Sequence, residues 1–185
     1  MPPKIKVTKE NILSAAVELV RECGAEALNA RALAKKLGSS TQPIFSNYTS
    51  MEELKQEVIK SAEGIYKNYL NADMEKGEYP PYKASGMSYI RFAGEQQELF
   101  KLLFMRDRTD EQIPDSFDGI NPIIEIIQRN TGLDRKAAEL LHLEMWSCVH
   151  GIAVMTATGF LKLDTVTVSQ MLTDIYSGLK GEKAK

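Results

Sequence analysis

The chain has 185 residues, 43% of them hydrophobic, with 23 Lys and Arg against 25 Asp and Glu. That is enough apolar material for a substantial core in one or two domains, and a net charge of −2 does not by itself advertise a nucleic-acid partner. The two cysteines, Cys23 and Cys148, stand far apart in apolar helical settings, which excludes a disulfide or metal framework and reads as two small buried side chains in a reducing cytosol.

Charge is unevenly spread. Residues 1–48 carry seven Lys and Arg against four Glu, a net of +3, which leaves −5 on residues 49–185. A basic head on an acidic body suits a DNA reader whose remaining mass does something else. The opening MPPKIKVTKE lacks the apolar core of a secretory signal. The longest nearly apolar run, 151–161, is about half a membrane span. A cytoplasmic protein with no membrane partner is expected.

In chain order, Lys4 and Lys6 sit on a short arm before the first helix, of the kind that in some DNA readers reaches the backbone or minor groove. Thr8 can cap that helix, whose Ile12, Leu13, Ala16, Val17, Val20 and Cys23 follow helical spacing up to Gly24. Asn29 can cap a second helix with Leu33 and Leu37 on one face and Lys35 and Lys36 turned away from it. Gly38 ends it where a left-handed residue is wanted. Ser40 can cap a third helix through Ile44, Phe45 and Tyr48, although Pro43 disfavours helical angles at Gln42 and argues for a start one residue later.

Helix, Gly-containing turn and helix make the helix-turn-helix layout, in which the second helix enters the DNA major groove. Gly-linked helix pairs are common, so the pattern alone does not decide. The face of the second helix adds to it. Ser40, Thr41, Gln42, Ser46 and Asn47 are short neutral hydrogen-bonding groups suited to base edges and phosphates, whereas an ordinary wet face is rich in Glu and Lys.

Residues 8–60 resemble the N-terminal domain of the tetracycline-repressor family of transcription regulators. The shared pattern runs from Ile12 and Ala16 through Gly24, Leu33, Ala34 and Gly38 to Ser40, Ile44, Phe45, Tyr48, Ser50 and Leu54. Three positions depart: Ser39 stands where the family has Val, Phe45 where it has Tyr, and Met51 where it has Lys. The family's Tyr and Lys typically touch DNA phosphates, so the departures bear on affinity. The residues expected at DNA are Arg31, Ser40, Thr41, Gln42, Pro43, Phe45, Ser46, Asn47 and Tyr48.

Ser50 with Glu53 reads as a capping box opening a fourth helix to about Asp73, with Gly64 inside it to let the helix bend or, as the favoured reading, to let a neighbour pack close. GEYPP at 77–81 breaks the chain. From Tyr82 to Met105 two helices are expected with a break at 95–97, followed by a loop from Arg106 to Gly119. Asn121 and Pro122 start another helix, running to about Thr131. Asp134 opens the longest helix, to about Gly159, apolar almost all round from Met145 onward. Thr167 with Gln170 reads as a capping box for a last helix over about 166–179, ahead of a frayed tail. No internal repeat or convincing strand is found.

The fold expected is all-α with about nine helices: a helix-turn-helix domain at 1–50, a connecting helix at 51–73, and a C-terminal ligand-binding and dimerisation domain within 51–185. The stretch WSCVHG, Trp146 to Gly151, resembles a Trp-His-Gly motif of one C-terminal subclass of the same family. A core histidine packed by an aromatic is the plainer reading, and a ligand pocket shared by Tyr89, Phe92, Phe104, Trp146 and His150 is the sharper one. Met87, Phe92, Phe100, Phe104, Met105 and Met155 read mostly as core.

Glu139 and His142 form a Glu-x-x-His pair, but a carboxylate-bridged metal centre needs that motif twice and two further Glu, and the chain has only two histidines. No catalytic residue, metal or cofactor is expected. The function implied is a DNA-binding transcriptional regulator, a ligand-responsive repressor that binds a palindromic operator as a homodimer. The alternative is a helical enzyme or small-molecule-binding module that uses the N-terminal helices as scaffold. Partners are double-stranded DNA, a small-molecule effector and a second copy joined through helices 134–159 and 166–179, with Met171, Ile175 and Leu179 as the stripe.

Overall fold

A computed structural model describes residues 7–107, 109 and 121–183. The arm with Lys4 and Lys6 and most of the expected loop from Arg106 to Gly119 lie outside the described residues. Those residues form nine α-helices and no strand: α1 Lys9–Cys23, α2 Ala30–Lys36, α3 Gln42–Asn47, α4 Met51–Lys76, α5 Pro81–Glu95, α6 Gln97–Phe104, α7 Asn121–Thr131, α8 Arg135–Ala157 and α9 Thr165–Lys183.

The chain folds as two compact units. One holds the described residues up to Lys67 together with Gln96–Arg106, and the other holds Asn68–Glu95 with the remainder from Asp107. The first therefore includes α1 to α3, the greater part of α4, and α6. It extends past the residue-50 division expected from sequence because Leu54, Val58, Ile59 and Ala62 bury the α4 face that belongs to it.

Local chemistry explains most helix ends. The Thr8 hydroxyl accepts from the Asn11 backbone N–H at 3.2 Å, and the Asn11 side chain accepts in return from Thr8 N at 3.3 Å. The Asn29 carboxamide accepts from Ala32 N at 3.0 Å, and Asp134 accepts from Ala137 N at 2.8 Å. These are the side-chain caps that an opening helical turn requires.

Several ends differ from expectation. No side-chain bond from Ser40 or Thr41 caps α3, which begins at Gln42 with Thr41 as its non-bonding cap and Pro43 in its first turn. Pro43 has no N–H to satisfy, so the later start costs little. At α4 only half of the box forms: Ser50 Oγ accepts from Glu53 N at 3.1 Å, while the Glu53 carboxylate takes the Thr49 N–H and hydroxyl, each at 2.7 Å. At α9 the cap is Asp164, not Thr167. Its carboxylate accepts from Thr167 N at 2.9 Å and from the Thr167 hydroxyl at 2.7 Å, which starts the helix at Thr165. The expected frayed tail from Gly178 is helical as far as Lys183.

Three packing expectations are corrected. A Cβ on Gly64 would meet nothing within 4 Å among the described residues, so none of them packs close there. Cys23, in the last turn of α1, is exposed rather than buried. Met105 is also exposed, beyond the end of α6. Met87, Phe92 and Phe100 are core as read.

In the second unit α5 lies along α8. Gly86 allows the close approach, since a Cβ there would stand 3.3 Å from Val149 and 3.4 Å from Leu172. Ala84, Phe92 and Ala93 of α5, Ala138, Leu141, Ile152 and Ala153 of α8, and Leu172 of α9 are buried in this unit.

Candidate nucleic-acid interface

The end of α2 sets the geometry of the turn. Gly38 takes φ +60°, and the N–H groups of Leu37, Gly38 and Ser39 return to the carbonyls of Leu33, Lys35 and Ala34 at 2.9, 3.1 and 3.0 Å. This satisfies the orphan carbonyls of the last turn and reverses the chain, a conformation that glycine adopts without a Cβ clash. Three residues then lead to α3.

A single apolar side chain anchors α3. Ile44 is fully buried and fixes which way the six-residue helix faces. Ser40, Gln42, Phe45 and Ser46 are consequently exposed, with Thr41, Pro43 and Asn47 half-buried at the flanks. Phe45 leaves about half its surface in solvent, an apolar ring on an otherwise polar face. The Ser46 hydroxyl donates to Gln42 O at 2.9 Å and the Asn47 amide donates to Pro43 O at 2.8 Å. Both side chains keep their oxygen free to accept. Thr41 and Gln42 make no side-chain hydrogen bond to other described residues. Arg31 and Lys35 on α2 are exposed and, among the described residues, without an acidic partner, whereas Lys36 is paired with Glu22 at 2.7 Å.

Eight of the nine residues expected at DNA thus lie on exposed or half-exposed positions of α2, the turn and α3. Tyr48 does not. It is 2% exposed, and its hydroxyl donates to Glu57 of α4 at 3.0 Å. Lys9 of α1 sits 4.8 Å from the centre of its ring and donates to the other Glu57 oxygen at 2.6 Å. Tyr48 therefore ties the end of α3 to α1 and α4. Burial, and then the bond to Glu57, pushes its hydroxyl pKa up, and the Lys9 ammonium holds the Glu57 carboxyl below its ordinary range. Nothing in the sequence marks this cluster, because Lys9, Tyr48 and Glu57 come from three separate stretches of chain with no common spacing.

The second unit divides the expected ligand residues. Tyr89 and His150 meet, with hydroxyl and Nδ1 2.9 Å apart, and the Trp146 ring stacks on His150 with centroids 5.1 Å apart. About two turns away, the Tyr82 hydroxyl lies 3.1 Å from His142 Nδ1. Burial lowers the pKa of both histidines below the ordinary value. Trp146 is nearly half exposed. Phe92 is fully buried, edge-on to Tyr69 at 5.3 Å. Phe104 belongs to the first unit, between Tyr66 and Phe100. Burial there drives the Tyr66 hydroxyl up to about 12.

A cavity of about 280 Å³ lies elsewhere in the second unit, where the end of α4, α5 and the start of α9 meet, and none of the five expected residues lines it. Glu139, half of the Glu-x-x-His pair, bonds Arg135 at 2.7 Å instead of joining His142. Among the described residues no three His, Cys, Asp or Glu gather as a metal site, and no helix is long and apolar enough to cross a membrane.

Comparison with known proteins follows the same outline. Residues 82–175 match the model of the tetracyclin repressor-like C-terminal domain. An uncharacterized HTH-type transcriptional regulator of Mycobacterium tuberculosis is 24% identical over 174 residues, covering 92% of this chain and 78% of that protein. Among solved structures, a TetR-like transcriptional regulator from Rhodococcus sp. RHA1 superposes with a TM-score of 0.69 at 17% identity, covering 98% of this chain and 99% of that one. A putative TetR-family regulator from Vibrio parahaemolyticus gives 0.62 at 19% identity, covering 91% and 96%.

Proposed function

The chain belongs to the tetracycline-repressor family of DNA-binding transcriptional regulators, and from that membership we propose that it is a ligand-responsive repressor acting as a homodimer on a palindromic operator. The observation that carries the DNA-reading half is the outward face of α3. Ile44 and Tyr48 hold the helix on the core while Thr41 and Gln42 stand with uncommitted polar groups. Gln pairs bidentately with adenine, and Thr offers a hydroxyl and a methyl at once. Ser40, Ser46 and Asn47, with Arg31 on α2, serve the phosphates and fix register. Pro43 and Phe45 supply apolar contact, and Phe45 in place of a hydroxyl-bearing ring makes one phosphate contact fewer.

Dimerisation is supported by α8, where Leu140, Leu143 and Trp146 are each nearly half exposed, and by α9, where Met171, Ile175 and Leu179 recur at four-residue spacing with partial exposure. One short reading helix covers too few base pairs for useful selectivity, so two must act together. A small-molecule effector acts through the second unit by binding one conformational state better than the other. α4 is the direct covalent route, since it is one unbroken helix from Met51, four residues after α3, to Lys76. This is the work of a cytoplasmic protein that performs no catalysis.

The test is binding of the full chain to DNA flanking its own gene, followed over a range of salt. Tight binding to a specific fragment, weakening steeply as salt rises, supports the reading. Equal, weak binding to all fragments contradicts it and leaves the scaffold alternative.

A further inference from the structure

The cavity of the second unit has a polar corner and an apolar wall. We propose that it is a binding site for a small organic ammonium ion with an apolar tail, seated on Asp73. The proposal rests on the ligand-responsive reading above and gives the effector a chemical class.

Asp73 is largely buried, and its two oxygens are held differently. Oδ2 accepts from Arg91 Nε at 3.0 Å and Nη2 at 2.9 Å, while Oδ1 accepts from the Lys76 ammonium at 2.9 Å. All three nitrogens of Arg91 are engaged: the third donates to Glu95 at 3.2 Å, and the guanidinium carbon lies 4.3 Å from the centre of the Tyr69 ring. Its charge is already shared between two carboxylates. Lys76 is different. Its side chain is 58% exposed and reaches Asp73 from one turn away, an arrangement that contributes little to stability and leaves the ammonium free to swing into solvent. An ammonium already occupies Oδ1, so the position fits one, and a ligand's ammonium can replace it without leaving a buried charge unmatched.

The rest of the lining agrees. The carboxylates of Asp73, Glu78 and Glu95 outnumber the cations Lys76 and Arg91, which disfavours an anion throughout the cavity. Met87, Ile90, Leu163 and Val168 form the apolar wall beside that corner, suited to a short hydrocarbon tail. A volume of about 280 Å³ confines the ligand to a small molecule. Asp73 and Lys76 lie in the last turns of α4, so exchange of one ammonium for another acts on the helix that leads back to α3.

Titration calorimetry of the full chain with n-octylammonium, n-octanoate and 1-octanol, all below micelle formation, tests this directly. Octylammonium is expected to bind saturably, one per chain, with octanoate and octanol about tenfold weaker or worse. Asp73→Asn is expected to lose about tenfold or more in octylammonium affinity by the same loss of a charged partner. Thr165 lies on the cavity lining but is exposed, so Thr165→Trp blocks the space without touching the core and is expected to abolish binding. Lys76→Met should tighten octylammonium binding, whereas Lys136→Met, the same charge change away from the lining, should not. No octylammonium binding, equal binding of octanoate, or binding that survives Thr165→Trp overturns the site. Octylammonium that binds as described but leaves DNA binding unchanged upholds the site and contradicts the ligand-responsive reading instead.

Discussion

Gln42 and Gly64 illustrate how much a single position can be asked to do. Gln42 is exposed in the first turn of a helix whose orientation Ile44 fixes, so its amide is available to one base pair and not to the fold. Gln42→Ala should cost about 1–3 kcal/mol at one or two operator positions and relax preference there, as measured by competition among single-base operator variants. Phe45→Tyr with Met51→Lys restores two polar ends and should tighten binding to every sequence while steepening the salt slope. Gly64 sits in mid-helix with open space where a Cβ would go. Gly64→Ala should therefore stabilise the chain by about 0.5–1 kcal/mol, read from denaturant unfolding, because the helix gains propensity and meets no obstacle. Caps such as Thr8, Asn29 and Asp134 were legible in the sequence because each acts on a backbone group three residues away. Tyr48 was misplaced at the DNA because its partner Glu57 lies on another helix, and local spacing carries no trace of that bond.

At the scale of elements, the helices were legible wherever a periodic apolar face and a breaker coincided. α1, α2, α5 and α6 fall within a residue or so of expectation. Thr167–Gln170 matches a capping pattern and points to a later start for α9, yet the carboxylate of Asp164 is the stronger acceptor and sits three residues earlier. The cavity was illegible for a different reason: it is walled by four separate stretches of chain. α8 holds both histidines of the chain. His142 and His150 both have pKa values lowered by burial, so the unfolded chain binds their protons more readily than the folded one. Their contribution is fully present above the ordinary value of about 6.5 and is lost as pH falls through the lower folded values. Thermal unfolding of the second unit should shift to lower temperature on acidification from neutrality, and His142→Gln should flatten that shift. A melting temperature independent of pH across that window would contradict the neutral assignment.

For the whole molecule the proposed function turns on symmetry. A twofold dimer demands a self-complementary surface and an operator that is its own inverted repeat. Ile175→Glu would bring two like charges together at the centre of the proposed four-helix contact. It should split the dimer in sedimentation experiments and abolish operator binding while the first unit stays folded. A dimer that survives moves the contact elsewhere. The fold class and the turn-linked pair α2 and α3 were legible in the sequence because residues 28–54 combine a Gly turn, an apolar anchor and an unusually uncharged face. The proposed dimer contact shows in the sequence only as an excess of apolar residues, since exposure decides which of them a partner could cover. Selection of tight binders from a random DNA pool by the full chain tests the central claim most directly. The account predicts an inverted repeat with half-site centres one helical turn, roughly 34–36 Å, apart, and loss of preference within each half-site when Gln42→Ala is used. Recovery of no common sequence, or of a single unrepeated site indifferent to Gln42, would contradict it.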